Sequence, residues 1–134
     1  MGTFWNVSNH PQTKWAEAQV DAALDLMEIR DIQDVQFPNV DPHASAVEVR
    51  DMAVAMIDEL TARGLSVATD VAMVQGEFSF THHLTCFLEA MGMRVVVACS
   101  ERRVSDVRLA DGTVKKESIF QFVQFRQVSL VINP

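Results

Sequence analysis

Apolar and polar positions recur with two different periods along this chain, and each change of period marks an element. Thr3-Phe4-Trp5-Asn6-Val7 is a short aromatic and branched run closed by the turn-rich Ser8-Asn9-His10-Pro11, which predicts a first strand. From Lys14 the period lengthens. Lys14, Glu17, Asp21, Asp25 and Glu28 recur every three or four residues, predicting a helix whose buried face carries Trp15, Ala18, Ala22 and Leu26. Ile29 to Phe37 is the second strand, with Ile32, Val35 and Phe37 as its apolar content and Pro38 as its stop; its many polar residues suit a sheet edge. Ser45-Ala46-Val47-Glu48 has the spacing of a capping box, in which serine and glutamate satisfy each other's backbone donors. The helix it opens buries Val49, Ala53, Met56, Ile57 and Leu60 and stops at Gly64, a left-handed cap residue.

A third strand, ending at Val74, runs through Gln75-Gly76-Glu77 into a helix marked by Leu84, Phe87, Leu88 and Met91 and closed by Gly92. Met93 to Cys99 then forms a continuous branched run, as expected of a parallel strand covered on both faces. Strand and helix alternate up to this point, the order of a layered, parallel α/β sheet with right-handed crossovers. Beyond Ser100 the pattern changes. Arg103 to Leu109 and Ile119 to Val128 alternate around Asp111-Gly112, predicting an antiparallel hairpin added to the sheet, with Ser129 to Pro134 continuing the last strand or fraying. The expected fold is α/β, mostly parallel, with a C-terminal antiparallel hairpin, in one domain over residues 1–134; there is no internal repeat or linker.

The net charge of −7 argues against a duplex nucleic-acid binder, which needs a basic face to displace counterions. A small phosphorylated ligand needs only local cations, and Arg102-Arg103 and Lys115-Lys116 are local clusters that otherwise read as solvated charges. Cys86 and Cys99 form no CxxC and are expected to be free, mostly buried thiols of a reducing compartment, the cytoplasm. No basic-then-apolar leader opens the sequence, and no run approaches the ~20 apolar residues of a membrane span.

Ligands of parallel α/β sheets sit beyond the carboxyl ends of the strands, where strand order reverses. That rule selects Asn6, Ser8, Asn9 and His10 after the first strand, Gln75, Gly76, Glu77, Ser79 and Thr81 after the third, and Ser100, Glu101, Arg102 and Arg103 after the fourth. The polar turn into the third helix, with its unpaired backbone N–H groups, is the natural anion-holding corner. No GxGxxG, GxxxxGK[ST] or GxSxG is present, which argues against dinucleotide binding, P-loop hydrolysis and a nucleophile elbow. Glu77 can serve as a general base or hold a ribose hydroxyl; equally it can cap the helix or pair with Arg102. His82 and His83 stand about 100° apart on a helix, so one at most faces a ligand. With His10 and Glu77, one of them would complete a metal trio of no characteristic zinc spacing. Arg102 and Arg103 bring forked donors suited to phosphate, and Ser8, Ser79, Thr81 and Ser100 bring hydroxyls that can equally be caps.

Asn6-Val7-Ser8-Asn9-His10-Pro11 with Trp15, then Gly76-Glu77-Phe78-Ser79-Phe80-Thr81, Ser100-Glu101-Arg102 and Phe122-Val123-Gln124-Phe125-Arg126, resemble small prokaryotic proteins of CRISPR defence loci: CRISPR-associated Rossmann-fold (CARF) domains and stand-alone ring nucleases. The resemblance implies a Rossmann-like three-layer domain that binds a cyclic oligoadenylate second messenger across a homodimer, and cleaves it without metal or cofactor. It also implies roles. Ser8, Asn9 and His10 would grip the ring, Gly76, Ser79, Thr81, His82, Ser100 and Arg103 would line the site, and Arg102 would neutralise phosphate. Glu77 or His10 would move protons. The acidic charge confines any positive potential to the pocket, and the absence of a fused effector domain favours a ring nuclease or a sequestering protein. The rival readings are a nucleoside hydrolase or transferase using Glu77, and a non-catalytic subunit that dimerises through its hairpin.

Overall fold

Strand β1 (Gly2–Ser8) is the axis of the molecule, pairing in parallel with β2 (Ile29–Gln36) on one side and β3 (Val71–Gln75) on the other. The computed structural model describes residues 2–26 and 28–128. Beyond β3 lie β4 (Arg94–Arg108), parallel to β3, and β5 (Val114–Gln127), antiparallel to β4, in the sheet order β2-β1-β3-β4-β5. Helices α1 (Glu17–Leu24), α2 (Ala46–Ala62) and α3 (Phe78–Ala90) make the three crossovers, and a single 3-10 turn, Gln12–Lys14, precedes α1. The fold is therefore mixed α/β with a mostly parallel sheet and a C-terminal antiparallel pair, and β2 lies at the edge as its polarity predicts.

Successive side chains of a strand point to opposite faces, and β1 uses this to feed two cores. Trp5 and Val7 join Val49, Ala53, Met56 and Leu60 of α2 and Phe80, Leu84 and Leu88 of α3. Phe4 joins Ala23 of α1, Ile29, Ile32, Val71, Met73 and Val96. Each large apolar side chain fully withdrawn from water is worth about 1.5–3 kcal/mol. The α2–α3 cluster holds more of them and dominates the stability of the sheet.

Both long helices end as their sequence demands. Ser45 Oγ accepts from Glu48 N at 3.1 Å, and the Glu48 carboxylate accepts from Ser45 N at 3.4 Å, completing the capping box. Gly64 (φ 100°) and Gly92 (φ 92°) adopt the left-handed conformation. That reversal lets Leu65 N–H reach the Leu60 carbonyl at 3.0 Å and Met93 N–H reach that of Leu88 at 2.9 Å.

Four expectations are corrected. Helix α1 begins at Glu17, not Lys14, because Pro11 and the 3-10 turn reset the chain; Ala23, not Ala18, is its buried residue. The predicted fourth strand and first hairpin strand are one 15-residue strand, with a register shift between Cys99 and Ser100 where the periodicity breaks. Strand β5 starts at Val114, five residues before Ile119. Of the two free cysteines, Cys86 is exposed and Cys99 half-buried, because Cys86 falls on the outer face of α3. The predicted behaviour of Ser129 to Pro134 falls outside the described residues. No helix among the described residues is long and apolar enough to cross a membrane.

Candidate functional site

The turn after β1 is built around one carbonyl. The oxygen of His10 accepts from Asn6 Nδ2 at 2.8 Å and from Trp15 Nε1 at 2.9 Å, so two side chains from either end of the segment fold it onto itself. Asn6 is 1% exposed; its amide also donates to Asp34 Oδ1 (2.9 Å) while its Oδ1 accepts the Ser8 hydroxyl (2.6 Å). Ser8 Oγ in turn accepts from His10 N at 3.1 Å. Asn6 and Ser8, which sequence position assigned to the rim, are thus buried pieces of the loop's frame. The frame leaves the His10 and Asn9 side chains at its outer surface.

Strands β3 and β4 part company after Met73 and Val96, the last residues in register. Gln75 spans the gap with its side chain: Oε1 accepts from Ala98 N at 3.0 Å and Nε2 donates to Ala98 O at 3.4 Å. In front of this divergence lies a crevice of about 250 Å³ lined by Ser8, His10, Gln75 and Ser100, floored by Met73 and Ala98. Lys14, Trp15 and Gln19 close its side toward α1. The order in which strands are added across the sheet reverses between β1 and β3, so the crevice stands where parallel α/β proteins hold ligands. A second hollow of about 290 Å³ opens between Asn9, the Phe37–Val40 segment and Glu77. Sequence reasoning missed Lys14. It was assigned to a solvent-facing helix stripe, and only the 3-10 turn rotates it toward the strand ends.

The anion-holding corner at α3 is already filled by the protein's own carboxylate. Glu77 is the N-cap, accepting from Ser79 N (2.9 Å), Phe80 N (2.9 Å) and the Ser79 hydroxyl (2.6 Å), and its carbonyl accepts from Thr81 N. The Ser79 hydroxyl, then the Phe80 and Ser79 amides, hold the Glu77 carboxyl below its ordinary range, which makes it a poorer base. Thr81 Oγ1 is buried and has no hydrogen-bond partner among the described residues. Gly76 is explained by packing: a Cβ there would stand 2.5 Å from the Phe37 ring.

The remaining candidates lie elsewhere. His82 is exposed on α3, its ring stacked 6.0 Å from that of Phe78 and its Nε2 3.8 Å from Cys86 Sγ; Phe78 is itself 80% exposed. Arg102 and Arg103 are on β4 in the middle of the hairpin, not at a strand end. The Arg102 guanidinium donates to the Ser118 hydroxyl, Arg103 pairs with Glu101 at 3.4 Å, and neither lines the crevice. Among the described residues no three His, Cys, Asp or Glu side chains gather to hold a metal ion, so His10, Glu77 and the α3 histidines do not form the trio considered above.

Outside the site, one buried carboxylate escaped sequence reasoning. Asp70, at the amino end of β3, accepts from Thr3 N, Trp5 Nε1, Ser66 N and the Thr69 hydroxyl at 2.8–3.0 Å. An aspartate before an apolar run reads as a turn residue, and its partners are up to 67 residues away.

No curated protein matches the chain, whereas a family model matches residues 2–126. That span takes in both cores, the β1 turn, the crevice and all but the last residue of β5. The chain belongs to the Uncharacterized protein MJ1673 family.

Proposed function

We propose that the protein binds a cyclic oligoadenylate at the crevice between β1, β3 and β4 and cleaves it as a ring nuclease. The fold is read as a Rossmann-like three-layer domain acting in the cytoplasm. The observation that carries the reading is the placement of a polar crevice at the reversal of strand order, lined by His10, Lys14, Gln75 and Ser100. The CARF resemblance of the Asn6–Pro11 and Gly76–Thr81 motifs supplies the ligand class.

The chemistry asked of the site is modest. A ribose O2′ attacks the adjacent phosphorus as the bond from phosphorus to O5′ breaks; the proton leaves O2′ and another arrives at O5′, giving a linear product with a 2′,3′-cyclic phosphate. Holding attacker and phosphate in line supplies much of the acceleration. On this reading the His10 imidazole moves the proton, and Lys14 takes the charge-neutralising role that the resemblance assigned to Arg102. The Ser8 hydroxyl fixes the loop that aims His10, while Ser100 contacts the ring; Asn9 lines the neighbouring hollow and not the crevice.

The engagement of Glu77 as a cap weighs against the nucleoside-enzyme alternative, which needs that carboxylate free. The test is incubation of the protein in chelator with a panel of cyclic oligoadenylates and mononucleotides, products being resolved by chromatography with mass detection. Linear cyclic-phosphate products are expected. Binding without product would leave a sequestering protein, and neither binding nor product would end the second-messenger reading.

A further inference from the structure

The β4–β5 hairpin differs in charge from the rest of the molecule. Arg94–Gln127 contains seven of the chain's eleven Lys and Arg but four of its eighteen Asp and Glu, a net of +3, leaving −10 on the remainder. The hairpin also leaves the body. Strand β4 pairs with β3 only over Arg94–Val96, so from Ser100 outward β4 and β5 have only each other, and the ribbon extends roughly 30 Å at about 3.4 Å per residue. Phe120 is 76% exposed on it, and Val104, Val114 and Ile119 are more than half exposed. A two-stranded ribbon with no covered face is marginally stable alone, and long unpaired edges are normally blunted or covered.

We propose that the ribbon is a docking arm whose occupant is a second copy of this chain, each arm lying along the partner's α1. Charge complementarity selects the site. Glu17, Asp21 and Asp25 form an exposed row of one sign along α1 and make no ion pair among the described residues. Arg108 and Lys116 near the ribbon tip are likewise exposed and in no ion pair among the described residues, and they share one face of the ribbon with Val104, Val114 and Phe120 and a single carboxylate, Asp106. Helix α1 packs beside the base of β5, near Phe125, so a two-fold axis near the middle of the ribbon brings each tip to the other copy's acidic row. The 23 residues from Ser100 to Phe122 match the roughly 20–30 residues a side of a standard interface. Exposed apolar side chains between the charges favour a protein partner over a nucleic acid, which would meet four carboxylates on the ribbon.

Sedimentation velocity of the intact chain without nucleotide tests this separately from any nucleotide chemistry. Dimers are expected at about 0.05 M salt, weakened at about 0.5 M where screening shortens the reach of charge. Arg108→Glu with Lys116→Glu should weaken association about tenfold or more, and Glu17→Lys with Asp21→Lys in the same chain should restore it. Phe120→Ser should weaken it by a factor that does not change with salt, and the far-UV spectrum of each variant should match wild type because every site is exposed. A monomer at all concentrations, a dimer indifferent to these changes, or a monomer whose ribbon instead binds single-stranded RNA would each overturn the proposal.

Discussion

Replacing Asp70 by Asn removes a charge from the floor of the fold without changing its shape, and the cost can be worked from its partners. Oδ1 accepts from Thr3 N and the Thr69 hydroxyl, Oδ2 from Trp5 Nε1 and Ser66 N. An asparagine oxygen can keep the Trp5 and Ser66 donors, while its amide nitrogen then confronts Thr3 N–H. The Thr69 hydroxyl can turn and accept. One buried N–H is left without a partner, which costs about 1–3 kcal/mol, and Asp70→Ala, which orphans three, costs on the order of 3–9 kcal/mol. Against a total stability of about 5–15 kcal/mol, the Asn variant folds and the Ala variant is marginal. Burial would raise the Asp70 carboxyl, but the donors from Trp5, Ser66, Thr3 and Thr69 outweigh it and hold it below its ordinary range. A depressed carboxylate contributes stability that is present above its unfolded pKa of about 3.9 and lost as pH falls through the folded value. Urea unfolding from neutral pH to below pH 4 should therefore show a lower midpoint for Asp70→Asn at unchanged m, and a smaller acid-induced loss than wild type. A midpoint within error of wild type at neutral pH, or an identical acid profile, would refute the reasoning.

Glu77→Ala should cost about 0.5–2 kcal/mol in urea unfolding, as loss of an N-cap does, and leave turnover on a cyclic oligoadenylate within a few-fold of wild type; abolished turnover in a folded variant would put Glu77 in the chemistry. Gly76→Ala should cost about 1–3 kcal/mol through its collision with Phe37, and Phe37→Leu in the same chain should recover part of it, a coupling that a double-mutant cycle measures. His10→Ala should slow cleavage by about 10²–10⁴-fold, and Lys14→Ala should slow it as well, with thermal midpoints little changed because both side chains stand outside the cores.

Local signals that concern a few neighbouring residues survived intact in the sequence. The Ser45 capping box, the glycine caps at Gly64 and Gly92 and the Asp111-Gly112 turn are all contained within one turn of chain. What escaped depends on distance. Asp70 reads as a turn residue because Thr3 and Trp5 come to it from the other end of the chain. Continuity of β4 through Ser100 escaped because the register shift breaks the alternation that periodicity relies on. The strand-end rule found the right corner of the sheet but could not separate side chains that build it from those that face outward. It therefore gathered Asn6 with His10, and Arg102 with Ser100.

That separation is sharpest in the Asn6–Pro11 motif. A run so rich in hydrogen-bonding side chains invites the reading that all of them touch a ligand, yet Asn6, Ser8 and Trp15 spend their donors on the His10 carbonyl, on Asp34 or on each other. Fixing one carbonyl from two directions removes the freedom of the peptide that carries the imidazole, so the histidine arrives at the crevice with its backbone already positioned. A loop held by water alone would pay that ordering entropy when ligand binds. Substitutions in the frame and at the tip should therefore differ in kind: Asn6→Ala loosens the loop and weakens ligand binding, whereas His10→Ala leaves the loop closed and removes the group it presents.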